Sequence, residues 1–204
     1  DAKTIKELAS YLEEHGCPAE NITQTSIDMS PAFISGVTKH LPNARITFDK
    51  FHIIGHASAA VDKMRRIEQK TDKSLKGMRR TLLKDTARLK PEAAADLGAL
   101  IAKMTVKRTA RAWSYKEQLR EILERKQINV VRAMLEHWCS CVMRSKVQPM
   151  KEVAKMIRTH LEGIVAWAQT RQTNGFLEAI NGLFQASKRR ARGFTRLTTI
   201  KTVI

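Results

Sequence analysis

Two acidic residues stand where their neighbours could put a carboxylate to chemical use. Asp28 closes the run Ile22-Thr23-Gln24-Thr25-Ser26-Ile27-Asp28, whose β-branched content and partial alternation predict a short strand. It then falls at the carboxyl end of that strand, where open α/β sheets build their sites, and a carboxylate there can hold a divalent metal. A local reading stays open beside this one. Ser30-Pro31 has the form of a helix start, and Asp28 can simply serve the strand-to-helix turn as a cap. Glu178 lies in Asn174-Gly175-Phe176-Leu177-Glu178-Ala179-Ile180-Asn181-Gly182-Leu183-Phe184-Gln185. The spacing predicts a helix entered at Asn174-Gly175, with Phe176, Ile180, Leu183 and Phe184 as its buried stripe. Asn174, Asn181 and Gln185 then fall three to four residues from Glu178 or from one another, a line that could project an acid into a polar site or be a solvated face.

Other constellations are weaker. Asp49, His52 and His56 share one helical face at i, i+3 and i+7 and could ligate metal or contact phosphate, although histidines so spaced are more often structural. In His137-Trp138-Cys139-Ser140-Cys141 the two thiols point about 200° apart on a helix, which is the wrong geometry for zinc. No Gly-x-Ser-x-Gly elbow, phosphate-binding loop or Gly-x-Gly-x-x-Gly occurs, which removes most of the weight from hydrolase, kinase and dinucleotide readings. Trp113, Trp138 and Trp167 fall in helical apolar stripes, and at least two are expected in the core.

Charge narrows the partners. In 204 residues, 37 Lys and Arg stand against 20 Asp and Glu, a formal net charge of +17. Such an excess favours a polyanion, since cations that neutralise phosphates release condensed counterions. One run extends from Lys63 to Lys84 and another from Lys103 to Arg120, each readable as a solvated helix face. The block Lys188-Arg189-Arg190-Ala191-Arg192-Gly193-Phe194-Thr195-Arg196 is harder to dismiss, because its cations repel one another unless a polyanion neutralises them. No apolar run approaches the roughly 18 residues of a membrane span. Three cysteines, Cys17, Cys139 and Cys141, without a secretory leader, fit a reducing cytoplasm.

The elements that must position these residues begin with Thr4 to His15, which has helical spacing and stops at Gly16. The strand at Ile22 to Met29, a helix from Pro31 to Leu41, a second strand at Arg45 to Phe48 and a helix from Lys50 make a parallel α/β unit. From about residue 50 to about 170 only helical patterns occur, broken at Lys90-Pro91 and Gln148-Pro149. Two strands fall short of the usual four to six of an open sheet, so the α/β part is expected to be incomplete and the chain an internal piece of a longer protein.

Ser26-Ile27-Asp28-Met29-Ser30-Pro31-Ala32-Phe33, Phe48-Asp49-Lys50-Phe51-His52 and Thr173 to Gln185, in that order, resemble the ISL-three family of bacterial insertion-sequence transposases. The resemblance runs over essentially the whole chain, including the Lys-Arg-Arg-Ala-Arg-Gly-Phe block. It implies a partial ribonuclease-H-like α/β fold carrying a large all-α insertion, predominantly helical by residue count. Residues 1–56 would form the α/β region with the second catalytic Asp, 57–170 the helical insertion, and 171–204 the return with the catalytic Glu and the basic segment. By position Asp28 is the second acid of an Asp-Asp-Glu set and Glu178 the third, separated by 178 − 28 = 150 residues. Asp49 and His52 match an Asp-x-x-His element that positions DNA or the active site, with Asn174 and Asn181 in support. The first Asp is expected upstream, so this chain alone is expected to be inactive. The activity implied is DNA cleavage and strand transfer through two Mg²⁺ or Mn²⁺ ions held by carboxylates. Double-stranded DNA is the implied partner, contacted by Lys188, Arg189, Arg190, Arg192 and Arg196, with a homo-oligomer acting on it in the bacterial cytoplasm and no membrane involved. The alternative is a non-catalytic, decayed DNA-binding helical protein; an RNA-binding scaffold rests on charge alone.

Overall fold

A computed structural model describes residues 2–86, 89–103, 108–171 and 175–190, apart from the side chains at 93, 96, 100, 103, 175–178 and 187–190. Two compact units result, Asp1–Arg171 and Gln172–Ile204. The first begins with helix α1 (Ala2–Glu14), strand β1 (Gln24–Ile27), helix α2 (Pro31–His40) and strand β2 (Arg45–Phe48). α1 stops where expected, with Gly16 in the left-handed region at φ 77° and the Cys17 N–H returning to the Leu12 carbonyl at 2.9 Å. It buries Ile5 against α2, and the approach is close: a Cβ on Gly36 would lie 3.0 Å from Ala2 Cα and Ile5 Cγ1. Pro31 occupies the first turn of α2, where its missing N–H does no harm.

β1 and β2 pair in parallel, Gln24 opposite Arg45 and Ile27 opposite Phe48. The first strand is shorter than its sequence suggests, although Thr23 still accepts the Arg45 N–H at 2.9 Å. Helices follow: α3 (Lys50–Glu68), α4 (Arg79–Leu83), α5 (Pro91–Lys103), α6 (Arg108–Glu124), α7 (Ile128–Arg144), α8 (Gln148–Thr159) and α9 (Leu161–Thr170). The second unit carries α10 (Gly175–Arg190). The expected class holds at this level, a predominantly helical chain with a small parallel sheet. Among the described residues no helix is long and apolar enough to cross a membrane.

One continuous core joins Phe48 of β2 to Ile53, Val61, Leu119, Leu135, Trp138, Ile157, Ile164 and Trp167 of the helices. Trp138 and Trp167 are each 2% exposed, which meets the expectation for the tryptophans. Not every helix break carries a Gly or Pro, and one expected face is not buried. The apolar spacing of Val153, Met156, Ile157 and Leu161 spans a break, since α8 ends at Thr159 and His160 turns the chain into α9. Leu183 and Phe184 do not form a buried stripe: they are 69% and 42% exposed. α10 is the one helix among the described residues of its unit.

Candidate active site

The register decides what stands at the carboxyl edge of the sheet. Ile27 pairs with Phe48, so the next residue on each strand is an acid, Asp28 after β1 and Asp49 after β2. Paired strands lie about 4.8 Å apart, which sets the two acids side by side at the edge where open α/β sheets present their chemistry. Each acid also opens onto a helix. Asp28 is half-buried, and its Oδ1 accepts the Ser30 N–H at 3.0 Å while the Ser30 side chain makes no capping bond. The two readings of Asp28 are therefore compatible. The turn occupies one of about four acceptor positions on the carboxylate. Asp49 is 1% exposed and is the N-cap of α3, accepting the Phe51 N–H at 2.9 Å.

Pleat alternation sorts the strand residues into two faces. Ile27, Ile46 and Phe48 share the apolar face, and Ser26 and Thr47 pair on the other. Thr47 is fully buried and donates its hydroxyl to the Thr25 carbonyl at 3.2 Å. Ser26 Oγ, two residues before Asp28, is buried with no hydrogen-bond partner among the described residues. α9 covers the apolar face so closely that a Cβ on Gly163 would lie 2.5 Å from the Phe48 ring. His160, at the start of α9, meets that ring edge-on at 5.1 Å between centroids, and burial holds its imidazole below the ordinary histidine pKa.

Beyond Asp49 the first turn of α3 is tied to the rest of the unit. Lys50 Nζ pairs with Glu124 Oε1 at 2.6 Å and lies 5.3 Å from the centre of the Trp167 ring. Arg171 stacks its guanidinium on the same ring at 4.6 Å. It donates to the carbonyls of Leu123 (2.9 Å), Glu124 (2.9 Å) and Arg125 (2.6 Å), closing the open end of α6. Its backbone is left-handed, at φ 53°, and ends α9. Sequence reasoning missed Arg171, since neither Gly nor Asn marks the turn. It also missed the ion cluster of Asp62 with Arg65 and Arg66, whose i, i+3, i+4 spacing was legible.

The other expected site residues fall around the start of α3, on α10 or outside the described residues. His52 is half-buried and His56 exposed, while Asp49 is the N-cap of α3. Among the described residues no three or more His, Cys, Asp or Glu side chains are grouped to hold a metal ion. Cys139 is buried with its thiol pushed up to about 11 by desolvation, and Cys141 lies 3.5 Å from His137 Nε2. Glu178 lies on α10, but its side chain is outside the described set, as are Asn174 and the side chains of Lys188, Arg189 and Arg190. Arg192 and Arg196 also lie outside the described residues, and Asn181 is exposed on α10.

Known proteins match over most of the chain, and a family model over all of it. The ISL3 family model, described as Transposase, matches residues 1–204. The transposase for insertion sequence element IS1001 of Bordetella parapertussis is 23% identical over 184 residues, covering 86% of this chain and 45% of the relative. That for insertion sequence element IS1557 of Mycobacterium tuberculosis is 29% identical over 204 residues, with the same coverage of 86% and 45%. The chain thus spans about half the length of these curated relatives. No solved structure matches. With the family match running from end to end, the chain belongs to the ISL3 family of insertion-sequence transposases.

Proposed function

We propose that this chain forms part of the catalytic domain of a transposase that cuts DNA and joins the cut strand to a target. Its two strands are read as part of a ribonuclease-H-like sheet, with Asp28 and Glu178 as metal-holding acids. The observation that carries the proposal is the acid at the carboxyl edge of a parallel pair, held by a single turn hydrogen bond, in a chain of this family. Carboxylate oxygens are hard donors and suit Mg²⁺ or Mn²⁺. Asp28 is half-exposed and keeps acceptor positions beyond its turn bond, which fits such an ion. An ion held by Asp28 and Glu178 would supply activation of a water or 3′-hydroxyl and neutralisation of the leaving oxygen.

The chain's own residues do the positioning. Asp49, buried and capping α3, fixes where Lys50 and His52 leave the sheet edge. Arg171 anchors the chain beside Lys50, and residues 172–174 alone separate it from α10. Lys188, Arg189, Arg190, Arg192 and Arg196 come after Glu178 and meet DNA phosphates.

The test is cleavage of element-end DNA with Mg²⁺ by the full-length protein. Asp28→Ala or Glu178→Ala should lower the rate at least 10³-fold with DNA binding retained. Strand transfer that survives alanine at both positions overturns the assignment.

A further inference from the structure

A second site lies away from the sheet edge, where α3 meets α4. The outward face of α3 lines an open groove of about 770 Å³ with Gly55 at one end, Lys63 and Arg66 towards the other, Lys70 in the turn after the helix, and Arg79 of α4 as the far wall. An adjoining concavity of about 420 Å³ shares Arg66, Lys70 and Arg79 and adds Arg65. Across both, five cationic side chains face one carboxylate, Asp62.

Asp62 organises them. Its Oδ1 accepts from Arg65 Nε (2.9 Å) and Nη2 (2.7 Å), while Oδ2 pairs with Arg66 at 2.8 Å and with Arg79 at 3.5 Å. Burial acts to raise the Asp62 pKa, but the bonds and charges of Arg65 and Arg66 outweigh it and hold the group ionised below its ordinary range. Asp62 is 7% exposed, whereas the Arg66 and Arg79 side chains are 70% and 62% exposed. A packing role is met by Arg65 alone, which is 8% exposed. Arg66 and Arg79 instead present guanidinium groups to solvent from a fixed carboxylate. Glu68, the other acid at this end of α3, points away and caps α6 through Arg108 N (3.0 Å) and Thr109 N (2.8 Å).

We propose that this groove grips the sugar-phosphate backbone of duplex DNA, with Arg66 and Arg79 aimed by Asp62 and with Lys63 and Lys70 extending the track. The choice of DNA rests on the transposase reading. The shape favours a polymer over a small anion, because the groove is open and its helix face rises about 18 Å from Gly55 to Ile67, with Lys70 in the turn beyond. It is a phosphate site and reads no bases.

The test is binding of a labelled 20-base-pair duplex of unrelated sequence to the 204-residue chain, with EDTA present and salt varied. Each lost phosphate contact should reduce the slope of log affinity against log salt by about 0.9. Arg66→Gln with Arg79→Gln should therefore reduce it by about 1.8 and weaken binding about 60-fold at 0.1 M salt. Lys6→Gln with Lys39→Gln removes the same charge from exposed positions on α1 and α2 and should change affinity less than fivefold. Asp62→Asn raises net charge by one, yet should weaken binding because it releases the aimed arginines. An unchanged slope in the arginine variant, an equal loss in the lysine control, or a stronger preference for single-stranded RNA than for the duplex would each overturn the proposal. Metal and cleavage play no part, so the groove can fail with the catalytic reading intact, and the reverse.

Discussion

Gly163 is where α9 comes closest to β2, and alanine there tests whether the sheet edge depends on that approach. The added Cβ would lie 2.5 Å from both Cδ2 and Cε2 of Phe48 and 3.3 Å from the Ile46 carbonyl oxygen. Carbon atoms prefer separations of about 3.5 to 4.0 Å, so the ring must retreat by at least about 1 Å. It has little room, being 5% exposed and backed by His160, and the Ile46 oxygen belongs to the strand itself. Overpacking costs about 1–3 kcal/mol, against a gain of about 1 kcal/mol for alanine over glycine inside a helix. With two ring atoms in conflict the upper half of the range applies, leaving a net loss of about 1–2 kcal/mol. In a chain of this size that lowers Tm by about 2–8 °C, measurable by circular dichroism. Phe48→Leu in the same chain should recover about 1 kcal/mol of coupling, because it shortens the clashing group. A Gly163→Ala protein as stable as the parent would refute the reasoning, since helix propensity would then have prevailed over contact.

Two more predictions concern groups that sequence inspection passes over. Arg171→Gly relieves a left-handed backbone by about 1 kcal/mol but loses charged bonds to three carbonyls, each worth about 1.5–3 kcal/mol before coupling. Urea unfolding should show a net loss of about 2 kcal/mol, with Arg171→Lys intermediate; equal stability of parent and glycine variant would contradict the capping role. His160 is held below the ordinary value of 6.5 by burial, so the folded state prefers the neutral ring. Its contribution is complete above the unfolded pKa and is lost as pH falls through the folded one. Tm should drop between pH 7.5 and pH 5.5, and His160→Gln should flatten that drop; an identical pH profile in the variant would show that another group is responsible.

The legible elements are those whose signals are local. Arg45-Ile46-Thr47-Phe48 forms the expected strand because its alternation matches a sheet with one apolar face, and Ser30-Pro31 starts α2 as its residue types predict. The break at His160 was not legible, since no Gly or Pro marks it and the apolar spacing runs straight through from α8 to α9. Tertiary contact makes that break: α9 must turn to lay Gly163 on Phe48. The acids divide the same way. Asp28 and Asp49 could be placed at strand ends from sequence, but their side-by-side register needed the pairing of Ile27 with Phe48. Their double duty as turn acceptors needed the hydrogen bonds themselves.

That register also explains why the helical region cannot be treated as an appendage to the sheet. A parallel pair must have its apolar face covered, and α9 does this for Ile46 and Phe48 from more than a hundred residues downstream. The same helix ends in Arg171, which clamps the last turn of α6 and the Trp167 ring that Lys50 also touches. Asp49 is thereby held from two sides, by its own cap on α3 and by the clamp on the residue that follows it. A change in the helices that loosens α9 or Arg171 should reach the sheet edge as a shift of Asp49 and Lys50. Loss of cleavage in such a variant, with duplex binding in the α3–α4 groove retained, would separate the positioning of the acids from the capture of DNA.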